Sequence, residues 1–169
     1  QLDDPISKWI PEFKNPKVFK SFKYADTSFV TEPAKRAITI RHLLNHTSGI
    51  GYGQIDSKES FQIAYRKAGI REIASLTPLT TEENVKRIAS MPLHFHPGEA
   101  YSYSMGLDVL AYFIEIVSGL SFDTFLHQRI FEPLGMVNTG PDDPAVVLPG
   151  RAIGYERGDD GSVRNAPAI

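Results

Sequence analysis

The chain has 169 residues, of which 18 are Lys or Arg and 20 are Asp or Glu, so its formal net charge is −2. This balance excludes the basic surface that nucleic-acid binding requires, and no apolar run approaches the roughly 18 residues of a membrane-spanning helix. Cysteine is absent, which excludes disulfides, thiolate metal sites and cysteine nucleophiles. We therefore expect no nucleic-acid partner and no membrane span, and the composition assigns no cellular compartment.

A short helix is predicted at the start of the chain. Acidic residues can cap it, and the proline that follows them suits the first helical position. Its apolar residues are Ile6, Trp9 and Ile10, and Pro11 is expected to end it. From 18 to 40, an aromatic alternation broken by proline predicts short extended pieces and loop.

Three helices are predicted in the middle of the chain. Thr39 can cap the first, and the Ser48-Gly49 pair is expected to end it because glycine tolerates a left-handed cap. Thr80 and Glu83 have the spacing of a capping box at the start of the third. The predicted ranges are 39–49, 58–67 and 81–91.

The strongest helix signal covers 106–118. Its apolar residues surround the axis almost completely, so we expect this helix to be buried near the centre, with Gly119 ending it. Ser121 can cap a further helix whose apolar residues share one face. Pro133 and Gly135 are expected to close that helix.

The C-terminal end predicts a β-hairpin. Residues 151–157 alternate between polar and apolar types, and the turn residues at 158–161 follow them directly. No internal repeat, low-complexity tract or glycine-rich linker divides the chain. We therefore expect one α+β unit, mostly helical, with the hairpin at its C-terminal end.

The most distinctive stretch is PGEAYSYSMGLDVL at 97–110. A Pro-Gly pair breaks regular structure, so the rings of Tyr101 and Tyr103 are expected on a short, fixed segment before a helix. The stretch resembles the Tyr-Ser-Asn region of class C serine β-lactamases and the related esterases, D-aminopeptidases and penicillin-binding proteins. Further strings resemble the same family: ITIRHLLNHTSGI at 38–50, VSGLSF at 117–122 and IFEPLGM at 130–136.

The resemblance implies a role for each residue of the tyrosine motif. Tyr103 matches the catalytic acid/base, Ser104 matches the middle residue, and Met105 stands where many members carry Asn. Because a thioether cannot hydrogen-bond as an amide does, Met105 favours esterase-like or peptidase-like acyl transfer over a dedicated β-lactamase. Asp108 is expected to orient the tyrosine segment by hydrogen bonding. The implied fold is the helical region of the β-lactamase/transpeptidase-like fold.

Two elements of the family are missing from the sequence. No serine is followed three positions later by lysine, although a Ser-x-x-Lys pair supplies the family's nucleophile and its base partner. No convincing Lys-Thr-Gly-like element follows Tyr103. In the family's order, the first element precedes this stretch and the second follows the hairpin. The resemblance therefore implies that 1–169 is a single partial domain of a longer serine hydrolase, with the rest of that hydrolase as its partner.

The implied chemistry sets a requirement on Tyr103. Tyrosine has an unperturbed pKa of about 10, so a base at neutral pH needs a pKa lowered by about 3 units, or about 4 kcal/mol of phenolate stabilisation. The family's lysine, placed beside the tyrosine oxygen, favours the anion, and backbone N–H groups stabilise the tetrahedral oxyanion. The implied substrate is a small-molecule ester or amide that passes through an acyl-enzyme.

Two alternatives remain open at the level of sequence. The chain could be a non-catalytic module, truncated or decayed, because Ser-x-x-Lys is missing. Histidines four apart at His42 and His46, or two apart at His94 and His96, have spacings that can hold a metal. Without a third ligand we favour structural roles for all four, so we expect neither a metal nor another cofactor. The pair Asp142-Asp143 is predicted to be a solvated loop.

Overall fold

A computed structural model describes residues 1–55, 58–72, 78–140 and 154–165. The described residues form two short 3-10 helices, a β-hairpin, a series of α-helices and a second, smaller hairpin. The 3-10 helices are Ile6–Lys8 and Pro11–Phe13, and the strands are β1 (Lys17–Lys23), β2 (Ser28–Pro33), β3 (Tyr155–Arg157) and β4 (Val163–Asn165). The α-helices are α1 (Ile40–Leu44), α2 (Glu59–Lys67), α3 (Thr81–Ala89), α4 (Gly106–Ser118) and α5 (Phe122–Leu126), the last continuing as a π-helical turn, His127–Phe131. The predicted α+β class, with more helix than strand, is confirmed.

The N-terminal prediction is right about helical structure and wrong about Pro11. Instead of ending the first helix, Pro11 begins the second 3-10 helix. Proline suits this position because the N–H group that it lacks has no partner within the first turn. Ile6, Ile10 and Phe13 are buried by the two short helices and form one edge of the core.

The first hairpin carries the residues predicted as short extended pieces. Strands β1 and β2 pair antiparallel from Lys17 opposite Pro33 to Lys23 opposite Ser28. The segment after α3 joins the same sheet, because Leu93 donates its N–H to Lys17 and accepts from Phe19 through its carbonyl. This bridge fixes the point at which the chain leaves α3.

Local capping explains where the helices begin. Thr39 accepts a hydrogen bond from the His42 N–H, and the His42 ring accepts one from the Thr39 N–H, so the two close a capping box. The predicted box of Thr80 and Glu83 is confirmed at α3. Helix ends were predicted less well: α1 ends at Leu44 instead of continuing to 48, and α3 ends at 89 instead of 91.

Helix α4 has the bounds that the sequence predicts, but its burial differs. Gly119 ends it with a φ of +70°, as expected. Only Gly106, Val109 and Leu110 are buried, whereas Leu107 and Val117 are exposed. The helix packs against α1, α3 and α5, and the described residues leave its remaining apolar face without a covering element. The expectation of a fully buried helix is therefore wrong for this part of the chain.

The last elements agree with the sequence where they are described. The Ser121 hydroxyl accepts from the Thr124 N–H and caps α5 as predicted. Strands β3 and β4 pair antiparallel and form the predicted C-terminal hairpin. Residues 151–153 and the Asp142-Asp143 pair lie outside the described residues. Among the helices described, none alone has the length and apolar content to cross a membrane; α4 and the following helix meet that test only as a pair bent by 77°.

Candidate active site

The tyrosine segment (residues 94–105) is held to the histidine loop (residues 45–51) by a ladder of backbone hydrogen bonds. The two stretches are distant in sequence but run side by side between α1 and α4. In each of the four hydrogen bonds, an N–H of the tyrosine segment donates to a carbonyl of the histidine loop. The pairs are His94 to Gly49 at 2.7 Å, Gly98 to Thr47 at 2.8 Å, Ser102 to His46 at 3.0 Å and Met105 to Gly51 at 3.3 Å. This ladder fixes the backbone on both sides of Tyr103.

Two histidines brace the Pro-Gly turn that opens the tyrosine segment. The His96 ring accepts from the Lys35 N–H at 3.3 Å through Nδ1, while Nε2 lies 3.4 Å from a Glu32 carboxylate oxygen. The His42 ring lies against Gly98, where an added Cβ would come within 3.2 Å of its Nε2. Burial lowers the pKa of His42, and the nearby charge of Arg36 lowers it further. The His42 ring therefore acts as a neutral hydrogen-bond acceptor, and the His96 ring links the turn to the start of the segment after β2.

The histidine pairs do not form metal sites. His46 lies beyond the end of α1, so it does not share a helix face with His42. His94 stacks on the Phe61 ring at 3.6 Å, and His96 faces β2. Within the described ranges, no group of three or more His, Asp or Glu side chains is placed to hold a metal ion.

Tyr103 stands at the surface within an aromatic cluster. The residue is 51% exposed, and its ring stacks on the buried Tyr52 ring, with centroids 6.0 Å apart and planes 13° apart. The His46 ring packs on the Tyr103 ring, with centroids 4.9 Å apart. Tyr101 is still more exposed and meets His46 edge-on at 6.0 Å. The phenol of Tyr103 is thus open to a solute on one side and supported on the other.

The two residues after Tyr103 point into the protein. Ser104 is 3% exposed, and its Oγ accepts from the Gly106 N–H at 3.2 Å and lies 3.2 Å from His46 Nδ1. Met105 is 1% exposed and belongs to the core. The structure therefore brings Tyr103, Ser104 and Met105 together in one segment but exposes only the first.

Asp108 lies on the first turn of α4 and faces a different cleft. This cleft has a volume of about 460 Å³ and is lined by Arg71, Asn84 and Glu115 as well as Asp108. Desolvation raises the pKa of the Asp108 carboxyl, and the charge of Arg71 opposes that rise. Tyr103 does not line the cleft, and among the described hydrogen bonds none joins Asp108 to the tyrosine segment. The structure therefore does not bring Asp108 to Tyr103.

Comparison with known proteins matches the whole chain to one family. The model of the Beta-lactamase family matches residues 1–169. The chain belongs to this family. Esterase EstB of Burkholderia gladioli is 37% identical over 139 residues, which cover 82% of this chain and 31% of the esterase. The putative penicillin-binding protein PbpX of Bacillus subtilis is 27% identical over 100% of this chain and 33% of its own length.

Solved structures of the family agree with the fold. EstCE1, described as a hydrolase with promiscuous acyltransferase activity, superposes with a TM-score of 0.74 and 31% identity, over 98% of this chain and 39% of that one. Simvastatin synthase from Aspergillus terreus superposes with a TM-score of 0.70 and 24% identity, over 99% of this chain and 40% of that one, and supports the fold alone. The chain spans about a third of the length of the curated relatives it matches.

Sequence reasoning missed two neighbours of Tyr103. Tyr52 and His46 both contact its ring, but neither lies near it in sequence. A usable signal for His46 was its place in the string at 38–50, which resembles the same family as the tyrosine motif. Nothing in the spacing of Tyr52 distinguishes it from a core aromatic residue.

Proposed function

We propose that this chain is the central portion of a serine hydrolase that transfers acyl groups from esters or amides, and that Tyr103 is its general acid/base. The observation that carries the proposal is the presentation of Tyr103: a half-exposed phenol on a backbone fixed at both sides. General acid/base catalysis requires a titratable group held within hydrogen-bond reach of the reacting atoms. A mobile surface tyrosine does not meet that requirement.

In the proposed reaction, a serine outside this chain attacks the substrate carbonyl. The serine proton passes to the Tyr103 oxygen as the C–O bond forms, and Tyr103 then gives that proton to the departing alkoxide or amine. The reverse transfers hydrolyse the acyl-enzyme, with water as the attacking group. A lysine one helical turn after that serine, also outside residues 1–169, would stabilise the Tyr103 phenolate.

Esters are the favoured substrates. The relatives include proteins named as esterases, EstB and the lovastatin esterase of Penicillium rubens. Met105 supports the same choice, because the position after Ser104 offers a buried thioether and no amide to a substrate. A dedicated β-lactamase would need another group to hydrogen-bond its substrate amide.

A serine-directed probe combined with two tyrosine variants tests the proposal in the intact protein. A fluorophosphonate should label one serine outside residues 1–169. Tyr103→Phe should lower kcat by about 10²- to 10⁴-fold, because it removes the proton-transfer group and leaves the ring packing. Tyr101→Phe is the matched control: it removes the hydroxyl of a more exposed ring two residues away and should leave kcat unchanged.

Other results would contradict the proposal or support the alternative function. Labelling at Ser48 or Ser104, or full activity of Tyr103→Phe, would contradict the proposal. An intact protein with no reactive serine would instead support a non-catalytic module of the Beta-lactamase family.

A further inference from the structure

His46 occupies a backbone position that usually belongs to glycine. It follows the last residues of α1 and has a φ of +56°, in the left-handed region. Helices commonly end with a glycine in this conformation, because a Cβ atom there is crowded. A histidine at this position therefore needs contacts that compensate for its strained backbone.

The His46 N–H donates to the Leu43 carbonyl at 3.4 Å, and the other described contacts of the residue go to the tyrosine segment. The His46 carbonyl accepts from the Ser102 N–H at 3.0 Å, and its ring packs on Tyr103 at 4.9 Å. Nδ1 lies 3.2 Å from the Ser104 Oγ, and the ring meets the edge of Tyr101. One residue of the histidine loop thus touches four consecutive residues around the exposed phenol.

The other contacts of the Ser104 hydroxyl assign a direction to its hydrogen bond with His46. The Ser104 Oγ already accepts from the Gly106 N–H, and the side chain is buried. A buried hydroxyl proton needs an acceptor, and among the described residues His46 Nδ1 is the one in reach. Assigned in this way, Ser104 donates its hydroxyl proton to His46 Nδ1.

We propose that His46 is a positioning residue for Tyr103, acting through its hydrogen bond from Ser104. By fixing the residue after Tyr103, the imidazole sets where the phenol oxygen lies relative to the reacting atoms. The inference rests on the proposed function of Tyr103, because a small displacement of the phenol lowers the turnover of the enzyme only if the phenol takes part in the reaction.

Two substitutions at His46 separate positioning from backbone structure in the intact protein. His46→Gly removes the ring but suits the positive φ, so relief of backbone strain should offset part of the stability lost with the ring contacts. The expected loss of kcat is about tenfold to a hundredfold, with little change in KM. His46→Asn should retain kcat within about threefold, because Asn tolerates the left-handed conformation and its Oδ1 can take the place of Nδ1 as acceptor.

Ser104→Ala completes the test from the other side of the hydrogen bond. It should lower kcat as His46→Gly does, and the double variant should be no worse than the poorer single variant, because both remove the same interaction. Full activity of His46→Gly, failure of Asn to rescue, or additive losses in the double variant would each overturn the proposal.

Tyr103→Phe, measured beside these variants, separates this inference from the proposed function. If Tyr103→Phe is inactive while His46→Gly is fully active, only the positioning role fails. If Tyr103→Phe is fully active, both fail.

Discussion

The two ends of helix α4 are similar in sequence and opposite in environment. At the site end, the helix begins at Gly106, three residues after Tyr103, and Val109 is completely buried. At the distal end, Val117 is 53% exposed, and Leu134 and Val137 beyond the next turn are exposed as well. Both ends are apolar, yet only one belongs to the core.

The difference shows that burial depends on partners supplied by distant segments. The site end meets the histidine loop, which arrives from the end of α1 and forms the backbone ladder. The distal end packs against α5, where the Phe122 N–H donates to the Glu115 carboxylate. An apolar pattern in the sequence indicates that a helix face is suited to burial. Whether that face is buried depends on the segments that the fold places against it.

The largest contrast is expected between two glycines with positive φ. Gly49 lies in the histidine loop beside the site end of α4, and Gly119 lies at the distal end. A Cβ on Gly49 would lie 2.3 Å from the Phe95 carbonyl oxygen, whereas one on Gly119 would meet nothing within 4 Å. Gly49→Ala should lower the free energy of unfolding by more than about 3 kcal/mol, and Gly119→Ala by about 1 kcal/mol from backbone strain alone. Chemical unfolding of the two intact variants measures both. Equal losses would remove the distinction between the ends.

A smaller contrast is expected within α4 itself. Val109→Ala deletes two buried methyl groups and should cost about 2 kcal/mol of unfolding free energy. Val117→Ala makes the same change on an exposed surface and should cost less than about 0.5 kcal/mol. Helix propensity changes equally in the two variants, so the difference reports burial. A similar cost at Val117 would mean that the distal end is covered in the intact protein.

The smallest expected effect is a pH dependence confined to the site end. Burial holds the pKa of His42 below its ordinary value of 6.5, so the unfolded chain binds a proton more readily than the folded one. The contribution to stability is therefore fully present above about pH 6.5 and is lost as the pH falls from there through the folded pKa.

Thermal midpoints at about pH 7.5 and about pH 5.5 measure this effect. His42→Gln is the control, because glutamine closes the capping box with Thr39 and does not titrate. The variant should lose less stability on acidification than the unsubstituted protein. An identical loss would assign the pH dependence to other groups.

Local features were predictable from the sequence, and long-range ones were not. The caps at Thr39, Thr80 and Ser121 depend on residues within one turn, so their patterns identify them directly. The resemblance to the serine β-lactamase family is confirmed by the match over the whole chain. In contrast, Tyr52 and His46 reach Tyr103 only through tertiary folding, across about fifty residues of chain, and periodicity carries no information about that distance.

The residues after Tyr103 illustrate the same limit. Ser104 and Met105 are adjacent to an exposed phenol and belong to the same family-like motif. The start of α4 turns both side chains inward, so Met105 packs in the core and Ser104 bonds to His46. Adjacency in a motif therefore did not predict a shared orientation.

The backbone ladder between the two loops also affects conformational entropy. Ordering one residue of a flexible loop costs about 1–2 kcal/mol. Here the four amides that form the ladder are already bonded in the folded chain, so the ordering of the tyrosine segment is part of folding. If Tyr103 reacts as proposed, substrate binding does not have to repeat that entropy cost, and only the substrate loses freedom.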